Sequence, residues 1–187
     1  KNHRNLIRRC EREGVRVEER TDLEALEILH TLLDETEKRH KFTRFSRSYI
    51  NREFTQFAKD TQASIFIAYL PDGTVDSAAI IMFYGNMAVY RHSGSLNKNK
   101  KLPTSYLIQW RVIQEAKKRG ITWYNFWGIA PENAPATHPF KGITHFKKGF
   151  GGKEREIVHC QDLVISWPYY AINWIIESIR SIRRGFA

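Results

Sequence analysis

Apolar residues recur at helical spacing in three parts of the chain, and each stripe predicts a helix with one buried face. The first stripe follows Thr21, a suitable N-cap, and consists of Leu23, Leu26, Leu29, Leu32 and Leu33. The second follows a cap at Ser46 and consists of Tyr49, Ile50, Phe54 and Phe57. The third begins at Pro168, a good first helical residue, and consists of Ile172, Ile175, Ile176, Ile179 and Ile182.

Short apolar runs separated by turn signals predict strands in the middle of the chain. SIFIAYL is too short for most helices, and Pro71-Asp72-Gly73 predicts a hairpin from it into VDSAAIIMFYG. A second turn at Gly85-Asn86 leads into MAVYRHSGS. These three neighbouring strands are expected to form an antiparallel meander.

The remaining elements complete the predicted order. Gly14 ends a first helix, NLIRRCEREG, before a strand VRVEE, and Gly120 ends a helix that runs from about Thr104 to Arg119. The later segments are a strand TWYNFWG, a short helix GITHFKKGF, a strand near EIVHCQDLVI and the C-terminal amphipathic helix. This order predicts an α/β (α+β) fold of the GNAT-like acyltransferase type, with a mixed central sheet flanked by helices.

Length and composition place the chain among ordinary globular proteins. Its 187 residues are 42% hydrophobic and 27% charged, which suits one domain over residues 1–187. The sequence has no apolar stretch near the ~20 residues of a membrane span and no secretory signal, so a soluble, cytoplasmic protein is expected. Cys10 and Cys160 lie far apart and indicate neither a disulfide framework nor a zinc site.

Positive charge concentrates between Lys98 and Arg119, within a chain whose net charge is +10. Such a block attracts RNA, a phosphorylated metabolite or an anionic lipid surface. A solvated face of a basic protein explains the charge equally well. Charge alone therefore names no partner.

The segment SGSLNKNKKLPTSY bears on the choice of acyl donor. Acetyl-CoA-dependent members of this architecture use a glycine-rich turn here to present backbone N–H groups to the pyrophosphate. This segment lacks closely spaced glycines, and Pro103 removes one donor. Use of CoA is therefore not expected, and no other cofactor is indicated.

Helical angles of about 100° per residue place Lys147 beside the apolar face of the short helix. That face consists of Phe140, Ile143, Phe146 and Phe150. A partly desolvated ammonium at this position could stabilise the oxyanion that develops when an amine attacks an ester. A lysine that snorkels along an amphipathic helix is the structural alternative.

Several segments together resemble the second domain of the FemABX aminoacyltransferases. They are KNHRNLIRRCEREGV, ETEKRHKF with the later Tyr49, AVYRHSGS, LPTSYLIQWRVIQEAKKRG, YNFWGIAPEN, His138-Pro139-Phe140 and GITHFKKGFGG. The combination covers nearly the whole chain. The family transfers an amino acid from aminoacyl-tRNA to the peptide amino group of a peptidoglycan precursor, and so builds the interpeptide bridge.

The resemblance implies roles for particular residues. Phe146 and Lys147 are expected beside the reacting ester and amine, as catalytic residues. Residues expected to bind the nucleotide-linked or lipid-linked precursor are Arg39, Arg44, Tyr49, Tyr90 and Ser93. The basic residues expected to bind tRNA are Lys98, Lys100 and Lys101. Solvated linker roles for Arg39 and Arg44, and a core role for Tyr90, remain open.

Departures from the family leave other functions open. Asn125 stands where the family usually has an aspartate, and the N-terminal domain that family members generally carry is expected to be absent. His92, His138 and His145 are candidate bases, although structural roles are favoured. One rival is a non-catalytic module that binds tRNA or precursor. Another is a domain at the inner membrane face, since the last helix joins its isoleucines to Trp167 and three arginines, at 180, 183 and 184.

Overall fold

The computed structural model describes residues 2–40, 44–136, 138, 140–158 and 160–184, with the side chains of 183 and 184 left out. The chain divides into two structural units, Lys1–Gly152 and Lys153–Ala187. The helices of the first unit are α1 (Asn2–Arg12), α2 (Leu23–His40), α3 (Arg47–Ala58), α4 (Thr104–Lys118) and α5 (Lys141–Lys148). Its strands are β1 (Arg16–Arg20), β2 (Ala63–Tyr69), β3 (Val75–Tyr84), β4 (Met87–Ser95) and β5 (Trp123–Asn125).

The strands form one mixed sheet in the order β1-β2-β3-β4-β5. The first three pairings are antiparallel, and β4 pairs with β5 in parallel. Buried residues of α2 and α3 pack on one face of the sheet, and those of α4 pack on the other. The predicted mixed sheet flanked by helices is therefore confirmed, including the meander of three strands.

The sheet opens beside β4. Parallel pairing with β5 stops at Val89 and Asn125, whereas β4 continues to Ser95. At the same point the register of β4 against β3 shifts, and Arg91 is the extra residue between Tyr90 and His92. A bulge increases local twist and turns the strand away from its neighbour. The second half of β4 consequently forms one wall of an opening.

Asp76 fixes the start of α4 next to this opening. Its side chain is 1% exposed, and it accepts hydrogen bonds from the Lys98 backbone N–H (2.8 Å) and the Thr104 hydroxyl (2.6 Å). The Thr104 hydroxyl also lies 2.6 Å from that of Ser77. A buried carboxylate needs such partners, because an unpaired one loses its hydration without compensation. This network ties the loop after β4 to the first turn of α4.

Two sequence predictions differ from the structure at element ends. Asp22, rather than Thr21, caps α2, since its carboxylate accepts from the Ala25 N–H (3.0 Å). Ser46 caps α3 as predicted. The segment TWYNFWG supplies only the short strand β5, because the chain turns at Trp127, whose φ is 64°.

The second unit contains α6 (Trp167–Arg184), which confirms the C-terminal helix. The strand predicted near EIVHCQDLVI is wrong for its described residues, which exclude His159; they have no regular structure. A strand requires a hydrogen-bonded neighbour. Here most of the apolar side chains are exposed, namely those of Ile157, Val158, Leu163 and Ile165. The isoleucines of α6 are 42–68% exposed. In the part of the chain that the structure describes, no helix has the length and apolar character needed to cross a membrane.

Candidate active site

Lys147 is the buried residue of α5. It is 8% exposed, and its Nζ donates a 2.7 Å hydrogen bond to the Gly128 carbonyl oxygen. Phe140 and Ile143, predicted to share the buried face, are 38% and 40% exposed. The predicted apolar face is therefore wrong in its first half, because α5 packs through the side that carries Lys147. The expected partial desolvation of the ammonium is present.

Burial lowers the pKa of Lys147 to about 8. Among the described residues, no carboxylate forms an ion pair with this ammonium to offset the loss of hydration. The Gly128 carbonyl accepts one of its three N–H groups, which leaves the others for a ligand. Lys147 is thus mainly a cation at neutral pH, and it loses that charge in mildly alkaline solution.

We expect an NMR titration of the Lys147 side-chain nitrogen to give a pKa of about 8, assigned by loss of the signal in Lys147→Met. The unfolded lysine keeps the ordinary value of 10.5 and binds more protons between the two values, so unfolding free energy should rise with pH in that window. A titration midpoint near 10.5 would show that the ammonium is hydrated.

Phe146 belongs to an aromatic cluster that fixes α5 against α1 and α4. Its ring meets Tyr106 edge to face at 4.8 Å and Phe150 at 5.4 Å between centroids. The His3 Nε2 atom lies 2.9 Å from the Phe146 carbonyl oxygen. Phe146 therefore positions the helix turn that carries Lys147.

The loop after β5 brings the Gly128 carbonyl to Lys147. Asn125 accepts a 2.8 Å hydrogen bond from the Trp127 N–H, and this turn supports the left-handed backbone of Trp127. The Ala130 N–H donates to the Thr144 hydroxyl of α5 at 2.8 Å. Asn125 thus performs a structural task through its side-chain oxygen, an atom that an aspartate also provides.

A cavity of about 120 Å³ lies between the end of β4 and the start of α4. Three predicted residues, Arg39, Tyr90 and Ser93, line it together with Ser105 and Ile108 of α4. The Arg39 guanidinium donates to the Ser95 carbonyl oxygen at 2.8 Å, so it is anchored at the strand end. The fold therefore gathers these three predicted residues in one place.

Tyr90 keeps its phenolic proton in this cavity. Burial raises its pKa, while the nearby Ser93 and Gln109 side chains act in the opposite direction. Tyr106 follows Ser105 on the first turn of α4 and contacts Phe146. That turn therefore joins the cavity to the α5 cluster.

Tyr49 lies in a neighbouring polar cluster on α3 and β4. Its hydroxyl is within 3.3 Å of Glu53 and 3.2 Å of Arg91, and Glu53 pairs with both Arg91 and His92. Burial lowers the pKa of His92. The Arg91 guanidinium lies 5.4 Å from the centre of the Trp127 ring, so this cluster borders the loop that holds Gly128.

Arg44 is committed to internal contacts. Its guanidinium pairs with Asp34 and Glu37, its side chain is 13% exposed, and it lies 3.3 Å from the His30 Nδ1 atom. It does not line the cavity. This geometry gives Arg44 a structural role, and its predicted contact with a precursor stays a prediction.

The predicted tRNA-binding residues share one loop. Lys98, Lys100 and Lys101 are all exposed between β4 and α4. Asn97, at the start of this loop, lines the cavity. The loop therefore begins at the cavity, and contact of its three lysines with RNA stays a prediction.

A mixed sheet that opens beside its fourth strand, with a helix starting at that opening, defines a domain with the GNAT-like acyltransferase fold. Residues 71–176, more than half of the chain, match the sequence model of the FemAB family. The chain belongs to the FemAB family.

Comparisons with individual proteins agree with this assignment. The lipid II:glycine glycyltransferase of Staphylococcus saprophyticus is 30% identical over 110 residues, which are 59% of this chain and 26% of the relative. The aminoacyltransferase FemA of Staphylococcus epidermidis is 30% identical over 92 residues, 49% of this chain and 22% of FemA. The matched region thus spans only about a quarter of these relatives.

Solved structures show the same fold. The crystal structure of FemX superposes with a TM-score of 0.73 at 19% identity, covering 81% of this chain and 53% of FemX. A GNAT-family acetyltransferase from Staphylococcus aureus superposes with a TM-score of 0.61 at 11% identity, covering 82% of this chain and 94% of that one. The fold is therefore common to FemX and to a GNAT-family acetyltransferase.

Proposed function

We propose that this domain transfers an amino acid from aminoacyl-tRNA to the peptide amino group of a peptidoglycan precursor. The observation that carries the proposal is the buried Lys147 ammonium, held by the Gly128 carbonyl beside the opening of the sheet. Membership of the FemAB family and the names of the aligned relatives support the reaction class.

The proposed chemistry depends on the negative charge that develops on the ester carbonyl oxygen. A neutral amine attacks the ester carbonyl carbon, a C–N bond forms, and the carbonyl oxygen becomes an oxyanion. The remaining N–H groups of Lys147 stabilise that oxyanion in a site with little water, where a fixed cation is most effective. The intermediate collapses as the ester C–O bond breaks. The amine proton passes through substrate groups or water to the departing ribose oxygen.

We expect the donor to be carried on tRNA rather than CoA. The start of α4 at Pro103 has no side-chain cap, and the preceding loop carries lysines in place of closely spaced glycines. Lysines without a rigid phosphate-binding turn suit a long polyanion better than one pyrophosphate. The same loop begins at the cavity, which the acyl end of the donor must enter.

A transfer assay tests this function. The chain would be incubated with mixed aminoacyl-tRNAs and either a nucleotide-linked or a lipid-linked pentapeptide precursor, both alone and joined to the N-terminal half of a FemAB-family relative. Mass spectrometry should detect precursor extended by one amino acid. We propose that the joined form is more active, because a partner domain would complete the precursor cleft. Binding of tRNA without any extension in either form would favour the non-catalytic module.

The lysine loop supplies a separate prediction. We expect Lys98→Gln, Lys100→Gln and Lys101→Gln together to reduce the slope of log binding constant against log salt by about 2 for a single-stranded RNA end. The control is the double variant Lys117→Gln, Lys118→Gln at the other end of α4, which should change the slope much less. An equal reduction of this slope in both variants would show that the lysine loop is not a specific RNA contact.

Peripheral membrane contact is a second candidate, favoured by the exposed isoleucines of α6 and by its basic C-terminal end. We expect the chain to float with anionic phosphatidylglycerol vesicles but not with neutral ones. Ile176→Glu should abolish flotation, whereas Asn173→Glu, which adds the same charge elsewhere on α6, should not. Absence of flotation by the unmodified chain would reject membrane contact.

A further inference from the structure

Gln109 of α4 carries a buried donor without a partner. Its side chain is fully buried, and its Oε1 accepts a 2.7 Å hydrogen bond from the Tyr124 hydroxyl. Its Nε2 is the one buried side-chain nitrogen or oxygen in the described part of the chain that makes no hydrogen bond. Buried polar groups without partners are uncommon and call for an explanation.

The position of Gln109 relates it to the cavity at the sheet opening. Gln109 follows Ser105 by four residues, so both lie on the same face of α4. Ser105 and Tyr90 line the cavity, whereas Gln109 lies behind them. Gln109 and Ser93 are both close enough to the Tyr90 hydroxyl to act against the rise of its pKa, but Nε2 of Gln109 makes no hydrogen bond with it in this structure. Tyr124, Gln109 and Tyr90 therefore form a row of polar groups that ends at the cavity wall.

The direction of this row of polar groups follows from the bond that Tyr124 makes. The Tyr124 hydroxyl has one proton, and donating it to Oε1 fixes which end of the Gln109 amide faces Tyr124. The opposite end of the amide is Nε2, which can only donate. A hydroxyl that accepts from Nε2 must direct its own proton to another acceptor. For Tyr90 that acceptor is Ser93 or a group inside the cavity.

We propose that Gln109 is a positioning residue: it holds the Tyr90 hydroxyl oxygen as an acceptor and thereby directs the Tyr90 proton to an oxygen of the aminoacyl ester in the cavity. This inference rests on the proposed function, which supplies the ester. Occupation of the cavity draws the Tyr90 hydroxyl into line with Nε2 and satisfies the unpaired donor. Gln109 itself does not touch the substrate.

A double-mutant cycle tests the inference in the transfer reaction. Tyr90→Phe and Gln109→Met should each lower kcat/KM by about tenfold, the size expected for one hydrogen bond to a reacting group. The double variant should be no slower than Tyr90→Phe alone, since Gln109 acts only through Tyr90. Effects that multiply in the double variant would overturn the inference.

A second measurement does not depend on activity. With tyrosines labelled at the ring carbon that bears the hydroxyl, NMR should show a higher Tyr90 pKa in Gln109→Met than in the unmodified chain, because a donor to the phenolate is lost. Tyr124→Phe frees the Gln109 amide to rotate and should raise the Tyr90 pKa by a smaller amount. This variant replaces Gln109→Met in the experiment if Gln109→Met does not fold. A Tyr90 pKa that is unchanged in both variants would overturn the inference. Absence of transfer by the unmodified chain would overturn only the proposed function.

Discussion

Replacing Lys147 with methionine should lower kcat for aminoacyl transfer by at least about 10²–10³, the loss seen when one oxyanion donor is removed. Methionine has a similar length and leaves no buried charge, so the helix that carries it should remain folded. The Gly128 carbonyl loses its hydrogen bond, which costs about 1 kcal/mol of stability. Transfer should therefore disappear while thermal unfolding and tRNA binding change little.

The neighbouring Lys148 supplies the matched control for this variant. It lies on the same helix, but its side chain is exposed. Lys148→Met removes an equal charge from the surface and should retain most of the transfer rate. Normal turnover in Lys147→Met, or equal loss in both variants, would remove Lys147 from the chemistry.

Gly94→Ala should destabilise the first unit by about 3 kcal/mol or more. A Cβ atom at Gly94 would lie 2.5 Å from the Leu32 carbonyl carbon and 2.6 Å from the Leu33 nitrogen, both in the backbone of α2. Backbone atoms inside a helix cannot rotate away as a side-chain tip can. The variant must therefore push α2 from β4, and the move would also displace Arg39 from the cavity.

Urea unfolding measures this effect, with Gly142→Ala as the control. Gly142 lies within α5, where an added Cβ meets nothing within 4 Å. The control should be neutral or more stable by about 0.5–1 kcal/mol, because alanine favours a helix over glycine. An unfolding midpoint for Gly94→Ala equal to that of the unmodified chain would mean that α2 and β4 are not in close contact there.

Signals from a few adjacent residues were sufficient to predict most of the fold. Turn residues at 71–73 and at 85–86 separate apolar runs of strand length, and the sheet contains the three predicted antiparallel strands. The helix ends at Gly14 and Gly120 were also predicted correctly. Both glycines adopt positive φ, which this type of helix end requires. Each of these features depends on a few adjacent residues.

Predictions that depended on distant partners were weaker. The strand near EIVHCQDLVI has a suitable composition, but composition does not supply the neighbour with which a strand must pair. The buried face of α5 was misplaced for the same reason, because Tyr106 and the loop at Gly128 decide which side of that helix is covered. Periodicity shows that a helix has two faces and not what packs on each.

In the candidate site, too, some residues could be predicted from the sequence, whereas those that depend on long-range packing could not. The resemblance drew attention to Tyr90, Ser93 and Arg39, which the fold places around one cavity. It could not reveal Gly128 or Gln109, since a carbonyl oxygen and a buried amide acquire roles only through long-range packing. Glu53 was detectable in principle, because it lies one helical turn after Tyr49 on the same face of α3.

A donor competition assay tests the central claim most directly. The chain, joined to a FemAB-family N-terminal half, would receive the pentapeptide precursor with radiolabelled aminoacyl-tRNA and acetyl-CoA carrying a second label. We predict that the amino acid label enters the precursor, that ribonuclease abolishes this incorporation, and that no acetyl label appears. Acetyl transfer without use of the tRNA-linked amino acid would contradict the account.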